Sequence, residues 1–294
     1  MYTQIARNKR LSLVLVGVFV IIITVLGFVI SLALGRPSYL WPIVIAALIY
    51  AAISYFASAQ IAVAMSGARE VQKSDAPELY RVVENLTIAS GLPMPKVYIV
   101  DDPSPNAFAT GRDPQHAIVA VTSGLLGMMD KSELEGVLAH EMSHVGNYDI
   151  RFMALVVALV AVVSLISDLF LRLSFWGGLG DEDEGGGNWI VIAISIVGAI
   201  LAPIVAALVQ LAVSRQREYL ADASGALLTR YPDGLASALA KIGQYAEPME
   251  HASSATAHLY IANPLKGRAL AGLFDTHPPI EERIKRLQSM DTAP

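Results

Sequence analysis

The chain has 294 residues, 54 % of them hydrophobic and 16 % charged, a balance too apolar for a wholly water-soluble enzyme of this length. A net charge of −5 with no lysine- or arginine-rich stripe gives nucleic-acid binding no electrostatic support. The absence of cysteine excludes disulfide scaffolds, thiol nucleophiles and thiolate metal sites, so any metal must be held by histidine and carboxylate.

Four segments are long and apolar enough to cross a hydrocarbon core of about 30 Å, which takes roughly 20 residues as a helix. They are Leu11 to Leu34, Leu40 to Met65, Phe152 to about Phe175, and Trp189 to Ser214. The first follows Arg7, Lys9 and Arg10, but its core is too long for a signal peptide and no clear small-residue cleavage site follows, so it reads as a retained anchor. The fourth carries Pro203, which neighbouring helices can accommodate in lipid.

Lysine and arginine set the orientation. Arg7, Lys9, Arg10, Arg69, Lys73, Arg151, Arg215 and Arg217 fall on one side of the spans, and only Arg36 and Arg172 on the other. Both termini are therefore expected in the cytoplasm, with the acidic DEDEGGG stretch, 181 to 187, outside. The chain divides into a first transmembrane hairpin (1–65), a polar block (66–151), a second hairpin (152–213) and a second polar block (214–294). Neither polar block makes a convincing core alone, so the two are expected to fold together.

In the first block, residues 76 to 89 have helical spacing, with Leu79, Val82, Val83 and Leu86 on one face and Gly91 and Pro93 as the stop. KVYIV (96–100), NAFATG (106–111) and HAIVAVT (116–122) are rich in strand-forming residues and predict a small antiparallel sheet. Ser132 with Glu135 has the capping-box pattern for the next helix, which stops at Gly146 and Asn147 or runs on into the third span.

That helix contains His140, Glu141 and His144 in the sequence AHEMSH. Residues four apart project from one helical face, so two imidazoles can reach one metal while the glutamate between them serves as general base. Such a site takes a third protein ligand and leaves a fourth position open. No histidine follows at short range; SRQREYLADASG, 214 to 225, offers Glu218 as the ligand and Asp222, one turn on, to hydrogen-bond a ligand histidine from behind. Taken alone, Glu218 is equally an ordinary surface carboxylate paired with Arg215 or Arg217. The intervening hairpin weighs for the metal, because it returns Glu218 to the membrane face that holds His144. Zinc is the metal preferred by this ligand set, although histidine and carboxylate also suit iron, cobalt and nickel.

AHEMSH, a membrane hairpin and REYLADA together resemble the HtpX heat-shock membrane metalloproteases, relatives of the prenyl-protein (CAAX) endopeptidases. The resemblance extends to PNAFATG (105–111), VTSGLL (121–126), HLYIANPL (258–265) and HPPIEERIKRL (277–287), and so covers nearly the whole chain. It implies a mainly α membrane protein, four transmembrane helices plus a cytoplasmic zincin-like α+β catalytic domain, in a bacterial-type inner membrane. The implied activity is a zinc endopeptidase with one zinc per chain, His140, His144 and Glu218 as ligands and Glu141 as base. It further implies His277 as a catalytic partner, and Asn106 and Arg283 at the substrate. The expected substrates are unfolded or misfolded membrane proteins, cut at the bilayer surface as stress-response quality control; a CAAX-type prenyl-protein endopeptidase or a silent membrane holdase is the alternative.

Two other readings compete. YPDG, 231 to 234, could supply the aspartate of an intramembrane metalloprotease, but it lies in a non-spanning stretch and reads as a turn. A metal transporter would need ionisable residues within the spans, where only Asp168 qualifies. His116, His251 and His258 have no partner at ligand spacing.

Overall fold

The computed structural model describes residues 2–33, 36–177, 215–250, 256–265 and 278–290. The fourth expected span, the acidic 181–187 stretch, His251 and His277 lie outside the described residues. Helix α1 (Tyr2–Ala33) and helix α2 (Leu40–Ser66) form an antiparallel pair, with α2 closed by Gly67 in the left-handed conformation, φ 66°. Then come strand β1 (Arg69–Glu70), helix α3 (Pro77–Ser90), strands β2 (Lys96–Val100), β3 (Ala107–Thr110) and β4 (Ile118–Thr122), and the short helix α4 (Ser123–Met128). Helix α5 (Lys131–Gly146) carries the two histidines, and α6 (Asp149–Gly177) follows it. Beyond the undescribed stretch lie α7 (Arg215–Thr229), α8 (Pro232–Gln244) and α9 (Ile280–Met290).

The expected antiparallel sheet is mixed. Its order is β1-β2-β4-β3, with β2 parallel to β4 and the outer pairs antiparallel. The chain leaving β2 crosses to the far edge before turning back, so β4 inserts between β2 and β3 and runs the same way as β2. Helix α5 also starts differently from its expected capping box. Asp130 is the cap, accepting from the Glu133 N–H while the Glu133 carboxylate accepts from the Asp130 N–H. Glu133 in addition pairs with Lys241 at 2.6 Å and accepts from the Ser237 hydroxyl at 2.6 Å, pinning the start of α5 to α8.

One core lies between the sheet and helices α3, α5 and α8, and includes Leu86, Val119, Leu138 and Leu239. A second joins α1, α2 and α6 through Phe19, Ile23, Val44, Val156 and Leu159. A third, with Phe108, Met153 and Tyr260, packs sheet against helices and links the two. The outer face of α2 is an exposed apolar stripe, Trp41, Ile45, Ile49, Ile53 and Phe56, and α1 exposes Leu13, Val14, Ile21, Val25 and Phe28. Spacings of three and four put the α2 residues on one helical side, a continuous apolar surface of a kind soluble monomers rarely expose.

Among the described residues, Pro37–Ser66 is the helical run long and apolar enough to cross a membrane by itself; Arg10–Val25 is a shorter apolar helix. The segment Asp149–Val163 passes only when joined to α5, from which it bends by 76°. The histidine helix therefore does not run on into the third apolar segment. It stops at Asn147, and Tyr148 turns the chain with φ 61°, a left-handed conformation unusual for a side chain of that size.

Candidate metal centre

His140 and His144 stand on one face of α5, and Glu218 reaches them from the first turn of α7. The approach depends on Gly225, where a Cβ would lie 2.9 Å from the His140 backbone nitrogen, so only glycine lets α7 pack this close to α5. The two Nε2 atoms are 3.2 Å apart, and the Glu218 oxygens lie 3.7 Å from His140 Nε2 and 3.6 Å from His144 Nε2. Tetrahedral bonds of about 2.0–2.1 Å require ligand separations of about 3.3 Å; the nitrogen pair is close to this, and each histidine faces a different Glu218 oxygen at a somewhat longer distance.

The outer nitrogens fix the chemistry of the inner ones. His140 Nδ1 is 2.9 Å from Asp222 Oδ1, and His144 Nδ1 is 3.0 Å from Asp149 Oδ2. A carboxylate only accepts, so each Nδ1–H donates outward and each Nε2 is turned inward, where it can present a lone pair to a metal once any proton on it has left. Two inward-facing nitrogens and a carboxylate in a buried space can share a cation, either a proton on His144 or a metal ion that takes its place. Burial alone would lower the pKa of His144, but the Asp149 hydrogen bond and the Glu218 charge outweigh it and raise the group to about 9. In His140 burial prevails over the Asp222 hydrogen bond, and the pKa is lowered.

Glu141 is adjacent. Its carboxylate is buried, and burial, reinforced by the Glu218 charge, raises its pKa to about 7 against the opposing effects of His144, Arg283 and the Ala109 backbone N–H. A carboxyl group held near neutrality can both accept and return a proton at cellular pH. The donor set and the buried Glu141 beside it fit a catalytic metal site of the two-histidine, one-glutamate type.

A family model described as peptidase family M48 matches residues 73–291. The chain belongs to peptidase family M48. Among relatives of this M48 chain, the protein named protease HtpX homolog from Tropheryma whipplei (strain TW08/27) is 54 % identical over 290 residues, covering 99 % of this chain and 98 % of that one. Those of the same name from Ligilactobacillus salivarius (strain UCC118) and Listeria monocytogenes serovar 1/2a (strain EGD-e) are 43 % and 45 % identical, with 99 % of this chain and 100 % of each relative covered. The crystal structure of S. mikatae Ste24p matches with TM-score 0.53 over 97 % of this chain and 67 % of that one, at 19 % identity, a likeness of fold alone. As an M48 protease related to the HtpX proteins, the chain is a metalloendopeptidase.

The structure brings His140, Glu141, His144, Glu218, Asp222 and Arg283 together in one buried cluster. Arg283 does not face an open substrate cleft: it is wholly buried, with Nη2 and Nε on the Asp222 carboxylate at 2.7 and 2.9 Å and Nη1 donating to the Ile261 carbonyl at 3.1 Å. Asn106 is also buried. Its Nδ2 donates to the Ala262 carbonyl at 3.0 Å, and its Oδ1 accepts from the Ala262 N–H at 3.3 Å. The β3 edge is occupied there, since the Ile261 N–H donates to the Ala107 carbonyl at 2.9 Å and Phe108 pairs with Tyr260. Asp233 is not part of the cluster; Pro232 starts α8, so YPDG is a helix start where a turn was expected. His116 is half exposed and pairs with Asp113, and His258 is buried in a 3₁₀ turn.

Two residues of the site escaped the sequence reading, Asp149 and Asn8. A carboxylate five residues beyond His144 would point to another face of an unbroken helix, and only the bend at 147–148 returns Asp149 to the imidazole. Asn8 had no local signal at all, being 141 residues from its partner Asp149.

Proposed function

We propose that this M48 peptidase is a membrane-embedded zinc endopeptidase that cuts unfolded cytoplasmic segments of membrane proteins. The observation that carries the reading is the buried cluster of His140, His144 and Glu218, with the two Nε2 atoms 3.2 Å apart and a Glu218 oxygen 3.6 to 3.7 Å from each, beside the buried carboxylate of Glu141. Zinc held by these three residues would supply a Lewis acid that polarises the peptide carbonyl and acidifies water. Glu141 takes a proton from the attacking water as the new C–O bond forms. It then delivers that proton to the leaving amine nitrogen as the C–N bond breaks. Asp222 and Asp149 hold the two imidazoles with Nε2 inward, and Arg283 keeps the Asp222 carboxylate ionised and in place.

The membrane part of the proposal is supported by the apolar outer faces of α1 and α2 and by the lysine and arginine asymmetry. The reading has α1, α2, α6 and the 189–214 segment as four spans, with both termini and the site in the cytoplasm. His140, Glu141, Glu218 and His144 are 0, 1, 2 and 4 % exposed, so a polypeptide reaches them only after something moves. Among the described residues, the 256–265 segment covers the β3 edge. An extended substrate replaces Ile261 on the Ala107 carbonyl, and main-chain pairing of that kind selects unfolded chains over folded ones. The role of His277 is proposed from the sequence resemblance alone.

The test is metal content and casein cleavage by the detergent-purified full chain. Wild type is expected to carry one zinc and to cut. Glu141→Gln should keep zinc and lose at least about a hundredfold in rate, whereas Glu218→Ala should lose zinc. Zinc retained by Glu218→Ala would remove Glu218 from the ligand set, and equal cleavage of folded and unfolded forms of one substrate would remove the quality-control reading.

A further inference from the structure

Asn8 lies on α1, in the part of the chain the sequence marks as an anchor, yet its side chain is buried and directed at the metal site. One Nδ2 hydrogen is donated to the Asn147 carbonyl at 3.0 Å and the other to Asp149 Oδ1 at 2.7 Å. The Asn147 carbonyl lies at the end of α5, where intrahelical partners run out. The other oxygen of the same Asp149 carboxylate accepts from His144 Nδ1 at 3.0 Å. Asn8 thus grips both sides of the 76° break between α5 and α6 and completes a chain Asn8–Asp149–His144 that ends on a proposed ligand. The Asn8 carbonyl accepts from the Ser12 hydroxyl at 2.9 Å, an ordinary contact along α1, so nothing in its own helix accounts for the direction of its amide.

We propose that Asn8 is a positioning residue for the metal centre. The first helix does more than anchor the chain: through Asn8 it orients Asp149, which fixes the ring and tautomer of His144. The proposal rests on the metal-site reading above. The amide is suited to this task because it supplies two donors at a fixed angle. Aspartate at the same position would supply only acceptors and place a second negative charge against Asp149. Partners standing behind a metal ligand typically tune affinity by 10- to 100-fold, and Asn8, one step further out, is expected at the lower end, about tenfold.

The test uses the full chain in detergent, with zinc affinity measured by chelator competition and the absorption spectrum of the cobalt(II)-loaded protein as a report on ligand geometry. Asn8→Ala and Asn8→Asp are expected to bind zinc about tenfold more weakly and to alter the cobalt bands, with kcat reduced and KM unchanged. In an Asp149→Asn background, where the relay is already broken, Asn8→Ala should cost no further affinity. If both Asn8 variants fold and match wild type in zinc affinity and cobalt spectrum, Asn8 only pins α1 and the proposal is overturned while the metal site stands. If the two substitutions weaken zinc additively, Asn8 does not act through Asp149 and the proposal is likewise overturned. Wild type that binds no zinc would remove the metal-site reading and this one with it.

Discussion

Asp222 is the residue on which two requirements meet. It accepts from His140 Nδ1 at 2.9 Å and receives both Nε and Nη2 of Arg283, all three groups being buried. Burial by itself raises the pKa of this carboxyl group, but the Arg283 charge and the His140 hydrogen bond outweigh it and hold the value at about 2, below its ordinary 3.8. A depressed carboxylate stabilises the fold above its unfolded pKa. The contribution, roughly 2 kcal/mol, is therefore complete above about pH 4 and is lost as pH falls through about 2. Asp222→Asn removes the charge and leaves Arg283 buried beside a neutral amide, so denaturant unfolding should show a loss of about 3 kcal/mol or more. The same variant should bind zinc 10- to 100-fold more weakly. Unchanged stability would mean that Glu218, with its oxygen 3.7 Å from Arg283, suffices to balance the guanidinium.

At the level of elements, the site is a contact between two helices and a covered sheet edge. Helices α5 and α7 approach closely because Gly225 has no side chain, and its Cβ would meet backbone, which cannot swing aside. Gly225→Ala should push Glu218 away from the histidines and weaken zinc binding at least tenfold, the lower end of the range for groups that orient a ligand, which equilibrium dialysis would register. The covered edge makes a different demand. Ala107 and Ile261 are adjacent to the Phe108–Tyr260 pair and joined by a backbone hydrogen bond, and the natural chain has no cysteine to interfere. The double variant Ala107→Cys with Ile261→Cys, once oxidised, should retain zinc but cut nothing, and reduction should restore cleavage. Full activity in the oxidised form would show that substrate enters without displacing the 256–265 segment.

Across the whole molecule, the metal and the proton compete for one buried space. His144, at about 9 when no metal is bound, contributes stability that is fully present below its ordinary 6.5 and lost as pH rises through about 9. Metal must displace that proton below pH 9, so apparent zinc affinity should weaken up to tenfold for each pH unit between about 9 and 7. Chelation at neutral pH should also lower stability, by about 2.7 kcal/mol relative to protein at zinc one hundred times its Kd. Thermal unfolding of the same preparation with and without chelator measures this. No stabilisation by zinc would mean that the three inward-facing ligands do not bind the ion together.

What was legible in the sequence followed from local periodicity and from pairs of residues close in the chain. The apolar runs, the α3 face, the Gly91 stop and the four-residue spacings of His140 with His144 and Glu218 with Asp222 are each set within a turn or two of helix, where 3.6 residues per turn fixes which side chains share a face. The helix start at Asp130 instead of Ser132, the parallel pairing of β2 with β4, and the burial of Asn106 and Arg283 against the 261–262 backbone were not readable in that way. Each depends on which distant segment arrives: Glu133 is fixed by Lys241, β4 by the crossover to β3, and Asn106 by Ala262. The sequence by itself determined the kind of chemistry, because ligand types and helical spacing are local properties. The tertiary structure alone decided that Asp149 and Asn8 stand behind His144 and that the chain's own backbone covers the β3 edge, because a bend of 76° and contacts across more than a hundred residues are products of packing.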